Sequence, residues 1–66
     1  MAQVVEIKPA PDGDGFCLRF KDASPIWFAY EHQAVNYAQD VYPAYEVVVY
    51  AGEGIIARRY APSVPE

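Results

Sequence analysis

Only one stretch of the chain, Tyr30 to Tyr42, spaces its apolar residues at the period of a helix, and the segments on either side of it alternate as strands do. Residues about 100° apart gather Ala34, Val35, Tyr37, Ala38, Val41 and Tyr42 on one side, with His32, Gln33, Asn36, Gln39 and Asp40 on the other. A single amphipathic helix can cover one face of a sheet. The second face is then left to water or to another molecule.

The strand segments come in pairs. "QVVEIK" (3–8) and "FCLRFK" (16–21) are β-formers that alternate, and "PAPDGDG" (9–15) between them concentrates the residues that reverse a chain. "PIWFA" (25–29) is a short apolar run that reads as an abbreviated extra strand, reached through Asp22, Ala23 and Ser24. Pro43 stops the helix by pushing its predecessor out of the α region. Tyr30 is the N-cap by spacing, with Gln33 as half of a capping box, although tyrosine is a poor capping residue.

"YEVVVY" (45–50) and "IIARRY" (55–60) flank "AGEG" as a second hairpin with two registers open to it. A Gly52-Glu53 turn pairs Tyr50 with Ile55, whereas a loop ending in a positive-φ Gly54 pairs Tyr50 with Ile56. "APSVPE" (61–66) reads as a flexible tail.

The expected fold is therefore α+β, a single ββαββ domain over residues 1–60 with its helix on one face of an antiparallel sheet and a short extra strand before the helix. The expected core is Val5, Ile7, Phe16, Leu18, Phe20, Ala34, Val35, Ala38, Val41, Val47 and Val49. The uncovered face is expected to carry Val4, Glu6, Lys8, Cys17, Arg19, Glu46, Val48 and Tyr50. The last strand adds either Ile56, Arg58 and Tyr60 or Ile55, Ala57 and Arg59.

Such a face mixes β-branched and aromatic residues with charges of both signs, where a solvated sheet face is mostly polar. Size points the same way. A 66-residue chain buries only about 60% of its unfolded surface. Its one cysteine, Cys17, makes no internal disulfide, and no Cys/His cluster is present to hold a metal. Dense packing or self-association is left to stabilise it.

The hydrophobic fraction of 53% argues for a folded chain, and a net charge of −4 works against general attraction to phosphate backbones. "MAQVVEIKPAP" lacks the charged and apolar regions of a secretory signal, and nowhere do ~18 apolar residues run together. These features predict a soluble cytoplasmic protein with no membrane segment.

The hairpin with "DGDGF", the helix "YEHQAVNYAQDV" and the closing "VVVYAGEGIIARR" resemble the short bacterial domains of domain-of-unknown-function family 2188 over residues 4 to 60. That resemblance implies a fold and no activity. The N-terminal part, residues 4 to 42, is also similar to antitoxins of the HicB type, which run through a "GF" or "GY" strand into an alanine-rich helix.

Catalytic and ligand motifs do not assemble. His32 sits mid-way along the polar side of the helix, with no serine or cysteine placed by sequence as its nucleophile. "DGDG" lacks the later ligands of a calcium loop and reads as a turn, and "GEGII" lacks the Lys-Ser/Thr ending and the helix of a phosphate-binding loop.

Trp27 and Phe28 cannot both point inward from an extended segment, so one is expected to be exposed. The chain reads as a non-enzymatic interaction domain without cofactor or metal, associating as a homodimer or with a small protein through Val4, Trp27, Val48, Tyr50 and Tyr60. The alternative is a nucleic-acid-binding or antitoxin-like module that uses Arg19, Arg58 and Arg59 beside aromatic side chains.

Overall fold

The computed structural model describes residues 4–21, 23–52 and 54–63. Gln3, Asp22, Glu53 and residues 64–66, which the sequence assigns to the first strand, a connection, the last turn and the tail, lie outside the described residues. The elements run β1 (Val4–Pro9), β2 (Phe16–Arg19), β3 (Ile26–Phe28), α1 (Glu31–Val41), β4 (Glu46–Gly52) and β5 (Ile55–Tyr60). The five strands form one sheet in the order β3-β2-β1-β4-β5, and α1 packs on one of its faces.

The α+β class with one helix on a sheet is what the hydrophobic periods predict, and the short run before the helix is indeed a strand. The sheet is mixed, however, rather than wholly antiparallel. β1 and β4 pair in parallel, Val5 opposite Val47 and Ile7 opposite Val49, while every other pair is antiparallel. β3 is the cause. It adds one reversal before the helix, so the strand that follows the crossover runs with β1 instead of against it.

Local chemistry shapes each connection. Between β1 and β2 the Ala10 N–H donates to the Gly15 carbonyl at 3.0 Å, and the Asp14 N–H donates to Asp12 Oδ1 at 3.0 Å, the local bond that makes aspartate a turn residue. At the helix start Gln33 Oε1 accepts from the Tyr30 N–H at 3.3 Å, while the Tyr30 hydroxyl caps nothing. The helix closes with the Tyr42 N–H donating to the Ala38 carbonyl at 2.8 Å, one residue before Pro43.

Val5, Ile7, Leu18, Ala34, Val35, Ala38, Val47 and Val49 form the buried core, with Phe16, Phe20, Phe28, Tyr37, Tyr42, Tyr45 and Tyr60 packed around it. The alanines let the helix approach the sheet closely, and aromatic rings close the gaps at its ends. Phe20 lies 4.3 Å from Tyr42 and 4.9 Å from Tyr45 between ring centres, and Phe28 lies 5.4 Å from Tyr37.

One expected core residue is misplaced by its period alone. Val41 is 45% exposed. It sits about 60° around the helix from Ala38 and in the last turn. There the Phe20, Tyr42 and Tyr45 rings cover the core instead.

Candidate interaction surface

The sheet face opposite α1 is set by strand parity. Partners across each ladder share a face, so the residues between the core positions line up in rows across the strands. One row runs Trp27, Cys17, Lys8, Tyr50 and Ile56. The next runs Arg19, Glu6, Val48 and Arg59, and Val4 with Glu46 begins a third.

β5 contributes to this face in neither of the two expected ways. Tyr50 pairs with Ile56, the register that goes with Gly54 at φ 70°, but the ladder then shifts so that Val49 faces Arg58 and Val48 faces Arg59. Ala57 is the extra residue of a β-bulge, and it exchanges the faces of the strand midway. The open face therefore takes Ile56 from one expected set and Arg59 from the other.

The bulge also divides both candidate residue sets between the two faces of the sheet. Tyr60 pairs with the core residue Val47 and packs against the core on the helix side, away from Val4, Trp27 and Tyr50. Arg58 turns to the helix side too, where its guanidinium donates to Glu31 Oε2 at 3.0 Å, while Arg19 and Arg59 stay on the open face. Val48 does lie on the open face but is only 4% exposed. It is flanked by Glu6 on β1 and Arg59 on β5, whose longer side chains reach past it, so it lies beneath the surface.

Trp27, 57% exposed, is the most prominent apolar group on the face. Its Nε1 donates to the Asp14 carbonyl at 2.9 Å, which fixes the indole over the β1–β2 turn. Gly15 makes room for it. A Cβ there would lie 2.5 Å from both Trp27 Nε1 and the Phe28 carbonyl oxygen, and the residue has φ +83°. Phe28 points to the core, which resolves the pair of aromatics into one inward and one outward ring.

Across β1 and β4 the polar groups are bonded to one another. The Tyr50 hydroxyl donates to Glu6 Oε2 at 3.2 Å, Lys8 Nζ is 3.9 Å from Glu6 Oε1, and the same ammonium sits 5.2 Å from the centre of the Tyr50 ring. Partial withdrawal from water, and then the negative charge of Glu6, push the Tyr50 phenol above its ordinary value. The sequence places Glu6, Lys8 and Ile56 on this face without marking them as contacts. The Glu6–Tyr50 bond and the Lys8 ammonium beside the Tyr50 ring cross from β1 to β4, and no local motif marks them.

Elsewhere the surface offers little chemistry. His32 is exposed and stacks on Tyr30 at 5.7 Å, and Cys17 is half-buried beside Lys8 and Trp27. Among the described residues no three His, Cys, Asp or Glu side chains cluster as metal ligands. No helix among them is long and apolar enough to cross a membrane. A hollow of about 580 Å³ at the ends of β1 and β4 is lined by Lys8, Pro9, Ala10, Pro11, Gly52 and Gly54, with Lys8 its one titratable side chain among the described residues. No family model, curated protein or solved structure matches the chain.

Proposed function

We propose that this chain is a small non-enzymatic interaction domain that associates with a second copy of itself through the open face of its sheet, in an accessory or regulatory role. The observation that carries this reading is the composition of that face: Trp27, Tyr50 and Ile56 stand exposed or half-exposed on a rigid five-stranded platform, beside Lys8, Arg19 and Arg59 and the opposite charges of Glu6 and Glu46. A surface holding both signs can be complementary to itself.

The sheet edges favour the face as the contact. β3 is three residues long, and β5 carries a bulge with two adjacent arginines, devices that discourage edge-to-edge pairing. Five strands ~4.8 Å apart and three rows of side chains give roughly 400 Å² in projection on each copy. Both copies together stay below the standard size of specific stable interfaces and within the range of weak, transient ones, so the association depends on concentration.

Sedimentation equilibrium over a concentration series tests the reading. The expected result is a monomer–dimer equilibrium that Tyr50→Glu abolishes and that Asn36→Glu, on the exposed side of α1, leaves unchanged. A wild-type chain that stays monomeric throughout overturns it. Val48→Glu is a poor probe, because burial there makes the substitution unfold the chain.

One observation favours a second reading, a nucleic-acid-binding or antitoxin-like module. Three of the five basic residues, Lys8, Arg19 and Arg59, share the open face with Trp27 and Tyr50, against two of the six acidic ones among the described residues. Single-stranded oligonucleotide binding that weakens steeply with salt, and that Arg19→Ala with Arg59→Ala removes, is the result it requires.

A further inference from the structure

We infer that two copies stack open face to open face about a two-fold axis that runs across the strands between the Lys8 row and the Glu6 row, setting Lys8 of each copy against Glu6 of the other. This rests on the self-association proposed above and specifies its geometry.

When a sheet face packs on a copy of itself, the symmetry axis lies in the plane between them, and its position decides which side chains meet. An axis along β1 sets Lys8 against Lys8 and Glu6 against Glu6. An axis lying on either row does the same for that row's member on β1. An axis along the strands between β1 and β4 brings Arg19 against Arg59. Like charges facing each other across a drying interface are strongly unfavourable.

An axis along the strands between β1 and β2 sets Glu6 against Arg19 and escapes like-charge opposition, but it leaves β5, with Ile56 and Arg59, outside the contact. The axis between the two rows avoids like-charge opposition and overlaps all five strands. It opposes Lys8 to Glu6, twice by symmetry, and sets Tyr50 over the position of the buried Val48. The charged pair lies on β1, the central strand, where accumulated sheet twist displaces the opposition least. Both side chains have the capacity for it. Lys8 and Glu6 are 44% and 40% exposed, the ammonium has three donors, and among the described residues Glu6 Oε1 meets only the loosely held Lys8.

Charge exchange tests this arrangement. Glu6→Lys and Lys8→Glu are each expected to weaken dimerisation at least about tenfold in sedimentation equilibrium, because both symmetric contacts become repulsive. An equimolar mixture of the two variants is expected to recover a heterodimer within a few-fold of the wild-type affinity, and the doubly exchanged chain a homodimer. Circular dichroism melts establish that each variant is folded. Where a reversal prevents folding, Glu6→Gln and Lys8→Gln stand in, each weakening the dimer a few-fold. A wild-type dimer with no recovery on mixing, or with single variants that dimerise as well as wild type, overturns this geometry and leaves self-association standing. A wild-type monomer overturns both.

Discussion

Tyr50 on β4 donates its hydroxyl to Glu6 on β1 at 3.2 Å, across the one parallel pair of the sheet. The bond joins the two halves of the chain, 44 residues apart in sequence. Partial desolvation and the Glu6 carboxylate both disfavour the phenolate, which raises the group above 10.0. The Tyr50 contribution, obtained as the difference between ultraviolet titrations of wild type and Tyr50→Phe, is therefore expected above the ordinary phenol value, and Glu6→Gln should lower it. The phenol is neutral when protonated and its folded value is the higher one. Its contribution to stability is thus present below the unfolded value near 10 and is lost as pH rises through the folded value. A Tyr50 that titrates at or below 10 contradicts the arrangement.

Gly15 is the position least able to take a side chain. Positive φ alone costs about 1–3 kcal/mol for another residue, and contact with the Phe28 carbonyl and the Trp27 ring adds to it. Gly15→Ala should lower the midpoint of a denaturant melt and shift Trp27 fluorescence to the red as the indole leaves its site. An unshifted spectrum at wild-type stability would mean that the indole is not anchored there.

Ala38 and Val41 lie on one helix three residues apart and should respond oppositely. Ala38 is fully buried against the sheet, so Ala38→Leu is expected to cost about 1–3 kcal/mol by overpacking. Val41→Lys, in an exposed last turn, is expected to change stability by no more than ~0.5 kcal/mol. Paired chemical melts read the difference.

Arg58 joins β5 to the start of α1 through Glu31, in a pair that water still reaches. Arg58→Ala should cost less than about 1 kcal/mol and should leave association and any oligonucleotide binding unchanged. Arg59→Ala, on the other face, is expected to alter surface binding instead. Equal effects of the two would contradict the division of the strand by its bulge.

The main elements were legible because the apolar spacing changes period cleanly at Tyr30 and again after Pro43. Eight of the core positions follow from that spacing, among them Val5, Ile7, Leu18, Ala34 and Val47. The parallel pairing of β4 with β1 was hidden because it depends on whether three weakly marked residues, Ile26 to Phe28, count as a strand. The placement of Arg58 and Tyr60 was hidden by a single bulge, which leaves no signature in "IIARRY" yet reverses every residue beyond Ala57. Burial of Val48 depends on the reach of neighbours on two other strands, and the anchoring of Trp27 on a backbone carbonyl 13 residues away. Tertiary context of that kind is not carried by local pattern.

The central claim, that the open sheet face is where this chain meets its own copy, is tested most directly by amide chemical shifts recorded as the protein is diluted. The account predicts concentration-dependent shifts at Glu6, Lys8, Cys17, Tyr50 and Arg59 and at the Trp27 indole N–H, with the amides of Asn36 and Asp40 on the far side of α1 unmoved. Shifts confined to α1 or to β5, or none at any concentration, would contradict it.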